Sequence, residues 1–171
     1  MKHLHKLLSL LLILSLALSC LIGCSKKEVI CPFTKITWQD TLEDIQKLEG
    51  KDYEEGESLY YGECYNYPKE FKGVTGTLQY MFDEEDKLAC MAWLYSSDSL
   101  EEIETLYKTL HEDLEAEYGK GKYESQFASE IGGDVWYQDG GNVILLLSTV
   151  DEYKAIQLSY VSPEHSLDEP K

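Results

Sequence analysis

The sequence predicts an α+β fold in the order strand, helix, three antiparallel strands, helix, three antiparallel strands. Three observations predict it. Two segments carry apolar residues at helical spacing behind capping residues, several runs alternate apolar and polar residues, and Gly- or Asp-rich turns separate those runs. The same order occurs after each helix, so a helix-plus-sheet unit used twice is part of the expectation. Gly50-Lys51-Asp52-Tyr53-Glu54 and Gly121-Lys122-Tyr123-Glu124 echo one another at matching places.

Each element has its own grounds. Thr34–Trp38 alternates and reads as the opening strand. Asp40-Thr41-Leu42-Glu43 reads as a helix start with an acid three residues on; Leu42, Ile45 and Leu48 share a face, and Gly50 stops the helix. Strands are expected at Leu59–Tyr67, Val74–Phe82 and Leu88–Tyr95, with Asp83-Glu84-Glu85-Asp86 as a charged turn. The second helix begins at the box Ser99/Glu102, runs an apolar stripe from Leu100 through Ile103, Leu106, Leu110 and Leu114 to Tyr118, and stops at Gly119. Three more strands follow at Glu124–Tyr137, Asn142–Val150 and Tyr153–Val161, the first open to a break at Gly132-Gly133. Asp139-Gly140-Gly141-Asn142 forms a hairpin turn, because these residues tolerate positive φ. Ile156, Leu158 and Tyr160 alternate with Ala155, Gln157 and Ser159, as a sheet with one wet face requires.

Charge excludes several classes of function. The formal net charge is −17, with 32 acidic residues against 15 basic ones, and no arginine is present. Nucleic acid and anionic lipid are recognised by clustered Lys and Arg, which this chain lacks. Such acidity serves solubility and self-repulsion.

The N-terminus is a leader by its chemistry. Lys2 and Lys6 precede an apolar run from Leu7 to Ile22, too short for a membrane span and closed by Gly23 and Cys24. The Leu21-Ile22-Gly23-Cys24 ending resembles the lipobox of bacterial lipoproteins. That resemblance implies cleavage between Gly23 and Cys24 and acylation of the Cys24 thiol. Each buried methylene contributes about 0.8 kcal/mol, so two or three chains anchor a protein durably. Cys20 is a rival acceptor, but Ala17 suits the position three before the cysteine less well than Leu21 does. The segments expected are a signal peptide at 1–23, a tether at 24–32, a single domain at 33–162 and a frayed acidic tail at 163–171. The setting is the extracytoplasmic face of a bacterial membrane, an outer membrane included. In that oxidising setting Cys31, Cys64 and Cys90 could form one disulfide; buried free thiols are the favoured alternative.

Phe33-Thr34-Lys35-Ile36-Thr37-Trp38, the cap at Asp40-Thr41, Tyr80-Met81-Phe82 ahead of a turn and a helix ending Tyr118-Gly119 resemble a group of uncharacterised bacterial lipoproteins. Gln39 stands where that group usually has Gly. The helix-plus-sheet order also looks like the β-lactamase-inhibitor-protein fold and its relative in outer-membrane barrel assembly. Those domains bind proteins, so the resemblance implies a binder; it carries over no catalytic residue.

Chemistry-bearing motifs are sparse. No P-loop, Gly-x-Ser-x-Gly elbow, His-Glu-x-x-His or paired Cys-x-x-Cys occurs, and the acidic turn lacks the spacing of a calcium loop. No catalytic residue, metal ligand or cofactor is assigned. Tyrosines are concentrated instead: Tyr53, Tyr60, Tyr61, Tyr65 and Tyr67 fall within one short region. Tyr61, Tyr65 and Tyr67 share a strand parity, so Tyr53, Tyr61, Tyr65 and Tyr67 form the candidate binding surface; the alternative is that strand tyrosines cover the core. The function expected is a non-catalytic, membrane-tethered module binding a protein or peptide. Recognition of sugar or cell-wall fragments is the alternative, and hydrolysis by acidic residues ranks below both.

Overall fold

The computed structural model describes residues 29–123, 131–150 and 153–170. The lipobox and its rival Cys20 lie outside the described residues. Helix α1 (Leu42–Glu49) is followed by β1 (Glu54–Glu57), β2 (Tyr61–Phe71), β3 (Val74–Asp83) and β4 (Leu88–Ser96). Helix α2 (Leu100–Tyr118) is followed by β5 (Lys122–Tyr123), β6 (Ile131–Trp136), β7 (Val143–Val150) and β8 (Tyr153–Val161). All eight strands form one antiparallel sheet in the order β1-β2-β3-β4-β8-β7-β6-β5. Two four-stranded meanders are therefore joined along the pairing of their last strands, β4 and β8.

This corrects the expected fold class. The described residues are predominantly β, with two helices on an eight-stranded sheet, rather than a balanced α+β fold with three-stranded units. The added strands, β1 and β5, are short and polar, so they show no alternation to read. Thr34–Trp38 pairs with no strand. It belongs to a strap on the helix side of the sheet, where Val29, Cys31, Phe33 and Ile36 are buried. The Phe33 ring meets Phe71 and Tyr160 edge-on, and the Thr34 hydroxyl reaches the Tyr80 hydroxyl at 2.6 Å. An alternating sequence can thus bury its apolar positions while Lys35 and Thr37 stay exposed, without a strand partner among the described residues.

Both helices start as their caps dictate. Thr41 and Asp44 form a reciprocal capping box, and the Ser99 hydroxyl accepts the N–H of Glu102. The helices cover one face of the sheet. Ile45 from α1 and Ile103, Leu106, Leu110 and Leu114 from α2 share a core with Leu78, Tyr80, Trp93, Leu158 and Tyr160. Trp93 and Trp136 close it, their indole N–H groups donating to the carbonyls of Lys69 and Gly119. Gly133 lies within β6, and a Cβ there would come 2.6 Å from the Leu145 carbonyl, so close strand approach explains the glycine without a break. Gly141, at φ +121°, lies under the Val161 carbonyl and turns the chain as Asp139–Asn142 predicts.

The C-terminal segment, read from sequence as frayed, is tied along one end of the sheet. Asn142 donates to the Leu167 carbonyl, the Ser166 hydroxyl accepts from Asn142 N–H, and Glu169 pairs with Lys122. Among the described residues no helix is long and apolar enough to cross a membrane.

Candidate functional site

The expected tyrosine surface is split by the fold. Tyr65 and Tyr67 are buried beneath α1; Tyr53 packs against both rings, edge-on to Tyr65 at 5.0 Å and tilted on Tyr67 at 5.8 Å. Phe82 and Tyr80 continue the stack on β3. Tyr61 alone of the four is exposed, at φ 72°, and a register shift between Tyr61 and Cys64 removes it from the parity of its neighbours. The Tyr65 and Tyr67 rings are core material, and Tyr53 is their half-buried cover.

Among the described residues no helix lies on the opposite face of the sheet, and its composition is unusual for this chain. Register places Thr77, Leu94, Gln157 and Leu146 in one row across β3, β4, β8 and β7. The next row is Asn66, Gln79, Ala92, Ser159, Ile144 and Val135, across β2 to β6. A third runs Cys64, Met81, Cys90 and Val161, and Ser96, Ala155 and Ser148 close the other end. None of these side chains is charged, although 27% of the chain is; charge enters at the margins, with Glu54 beside Asn66 on β1, Glu70 beside Thr75 on β2 and Lys122 beside Val135 on β5. The polar groups bond among themselves: Gln79 donates to the Asn66 amide oxygen at 2.9 Å and Gln157 to the Ser159 hydroxyl at 2.9 Å. Half-exposed Leu94, Ile144 and Leu146 stand beside them.

Tyr60 shuts the Cys64–Cys90 end of this face. Its ring packs over that small cluster and meets the His165 ring edge-on at 5.3 Å. Beneath it Cys64 and Cys90 are free, buried thiols, as is Cys31 on the other side. Burial pushes the Cys64 thiol up to about 11 and the Cys90 thiol up to about 12, so both stay protonated and behave as small apolar residues.

Of the polar clusters elsewhere among the described residues, those at Glu49, Asp134 and Ser162 each have a structural task. Glu49, at the end of α1, accepts from Lys69 at 2.8 and 2.9 Å and from the Tyr80 hydroxyl at 2.9 Å, which ties α1 to β2 and β3. Asp134 on β6 faces His111 Nε2 at 3.3 Å and the Tyr107 hydroxyl at 3.3 Å, which ties α2 to the second meander. Ser162, His165 and Asp83 have the residue types of a hydrolase relay: His165 Nδ1 shares a 2.8 Å hydrogen bond with the Ser162 hydroxyl, and Nε2 lies 3.0 Å from Asp83. Ser162, however, is 3% exposed, and its carbonyl accepts the N–H of His165 in the same turn. A nucleophile needs access to its substrate; this hydroxyl closes a turn and fastens the C-terminal segment to the β3–β4 hairpin. Burial acts to raise the Asp83 carboxyl, but the amide N–H groups of Lys87 and Glu85, with His165, outweigh it and hold it below its ordinary value.

Among the described residues no group of three or more His, Cys, Asp or Glu side chains is arranged to hold a metal ion. The charge-free face escapes motif searching because it is a property of parity across strands distant in sequence. Its local signal is the run Ala155, Gln157, Ser159, where the wet positions are polar but uncharged. No protein-family model, no curated protein and no solved structure matches this chain.

Proposed function

We propose that this chain is an extracytoplasmic lipoprotein, anchored by acyl chains on Cys24, whose domain binds a protein or peptide through the helix-free face of its sheet. One observation carries the reading: the central strands present no charge on that face in a chain of net charge −17. A sheet face selected only for contact with water would carry Lys, Glu and Asp, as the outer positions of α2 do at Glu101, Glu104 and Lys108. The centre of a protein interface is depleted of charge, because an ion desolvated on binding must find a partner there. Amides, hydroxyls and half-exposed aliphatics can instead be covered at small cost, provided the partner returns their hydrogen bonds. The alternative, sugar or cell-wall recognition on a tyrosine platform, loses the platform that motivated it, since Tyr65 and Tyr67 are buried.

The experiment is chemical crosslinking in intact cells, followed by solubilisation and purification of the chain, with Leu94→Asp as the control. The reading predicts a discrete crosslinked partner that the variant loses while its fold and membrane retention persist. No partner, or a partner retained equally by the variant, contradicts the assignment to this face. The anchor is tested separately: Cys24→Ala should release the chain from the membrane, and continued retention as mature protein refutes acylation there.

A further inference from the structure

A separate cleft opens where the turn before α1, the β3–β4 turn and the C-terminal segment converge, with a volume of about 470 Å3. This is within the size range of small-molecule sites, about 300–1,000 Å3. Trp38, Leu88 and Pro163 give it apolar walls; Asp40, Asp86 and Glu164 line it with Lys87 as the one opposing cation. Lys87 is itself held between Glu85 at 3.0 Å and Glu164 at 3.5 Å, so its charge is already matched. Each wall is held by its own turn, and the Lys87–Glu164 and His165–Asp83 contacts tie two of them together. Thr37 donates to Asp40, Asp83 accepts the N–H groups of Glu85 and Lys87, and Ser162 is bonded to His165. Trp38 differs from the other two tryptophans, for Trp93 and Trp136 are sealed at 0% and 2% exposure while Trp38 is half-buried and lines the cleft.

We infer that this cleft is a binding site for an organic cation with an apolar stem, an alkylammonium or guanidinium group. An indole face attracts such a cation, and carboxylates at the mouth complete its neutralisation. Two sources share this chemistry: a Lys or Arg side chain of a polypeptide, and a free small amine. The cleft residues lie off the charge-free sheet face, so this site stands or falls independently of the function proposed above.

The test is titration of the folded domain with Nα-acetyl-lysine amide at low salt, read by tryptophan emission. Trp38→Phe sets the background from the two sealed indoles. A saturable change is expected with the lysine amide and with 1,5-diaminopentane, and none with the uncharged isostere Nα-acetyl-norleucine amide. Tighter binding of the lysine amide assigns the site to a polypeptide side chain, and tighter binding of the diamine to a free amine; either ordering upholds the site. The pair Asp86→Asn and Glu164→Gln together should weaken binding by roughly tenfold. Asn suits the left-handed backbone at position 86, where φ is 60°, so the fold should persist. An equal response to norleucine amide, no response to either amine, or binding unchanged by the paired substitution overturns the inference. Quenching gives a second reading: the ratio of caesium to iodide quenching should be higher for Trp38 than for free Nα-acetyl-tryptophanamide, and a ratio equal to or below that reference contradicts an acidic cleft.

Discussion

The two faces of the sheet use the same strands for opposite purposes. On the helix side β2, β3, β4 and β8 contribute Tyr67, Tyr80, Trp93 and Tyr160, large rings that interlock with each other and with the helices. On the other side the intervening positions of those strands are Asn66, Gln79, Ala92, Leu94, Gln157 and Ser159, uncharged, with Gln79 bonded to Asn66 and Gln157 to Ser159, and Glu70 at the β2 margin. Alternation along a strand makes this division available; the difference shows which face the folding free energy depends on, and the other is the face proposed above for a partner.

The largest effects should come from the helix side. Trp93→Ala removes a fully buried ring whose N–H is bonded, and should destabilise the domain by about 3–5 kcal/mol in urea unfolding. Glu49→Ala deprives Lys69 and Tyr80 of their shared acceptor. A loss of about 2–3 kcal/mol is expected, with Glu49→Gln milder because its amide oxygen still accepts. A smaller effect belongs to acid. The Asp83 carboxyl lies below its ordinary 3.8 in the folded chain, so its contribution is present above that pH and is lost as the pH falls through the folded value. Urea midpoints measured across acid pH should fall less steeply for Asp83→Asn than for the parent. The smallest effect on stability should come from the helix-free face: Thr77→Lys or Gln157→Lys should change unfolding by about 0.5 kcal/mol or less while reducing partner capture.

The helices were legible because their signals are local. Thr41 and Ser99 cap them, Gly50 and Gly119 end them, and the stripe from Ile103 to Leu114 is the buried face of α2. The long strands were legible for the same reason, since β3, β4, β7 and β8 lie within a residue or so of their expected limits. Glu54-Glu55-Gly56-Glu57 and Lys122-Tyr123 have no pattern of their own. They are strands because β2 and β6 offer them a register. Thr34–Trp38 misled in the opposite direction, its alternation serving a strap whose partners are side chains. The candidate surface was misplaced because parity in β2 is read correctly only from Cys64 onward, past the irregular register after Tyr61. Which parity faces the helices cannot be told from tyrosine content. In β2 the residues that strands favour fall on one parity, Tyr65, Tyr67 and Phe71, against Asn66, Pro68 and Glu70 on the other; that the aromatic parity is covered is decided by the positions of α1 and the strap.

The most direct measurement compares the two sides of the molecule in the living cell. A photoreactive amino acid placed at Gln157 or Thr77 on the helix-free face, and at Glu104 on the exposed side of α2, reports what each surface touches. Discrete adducts of a second protein from Gln157 and Thr77 and none from Glu104 are expected. Adducts confined to Glu104, or equal from all three positions, would contradict the assignment of the charge-free face as the working surface.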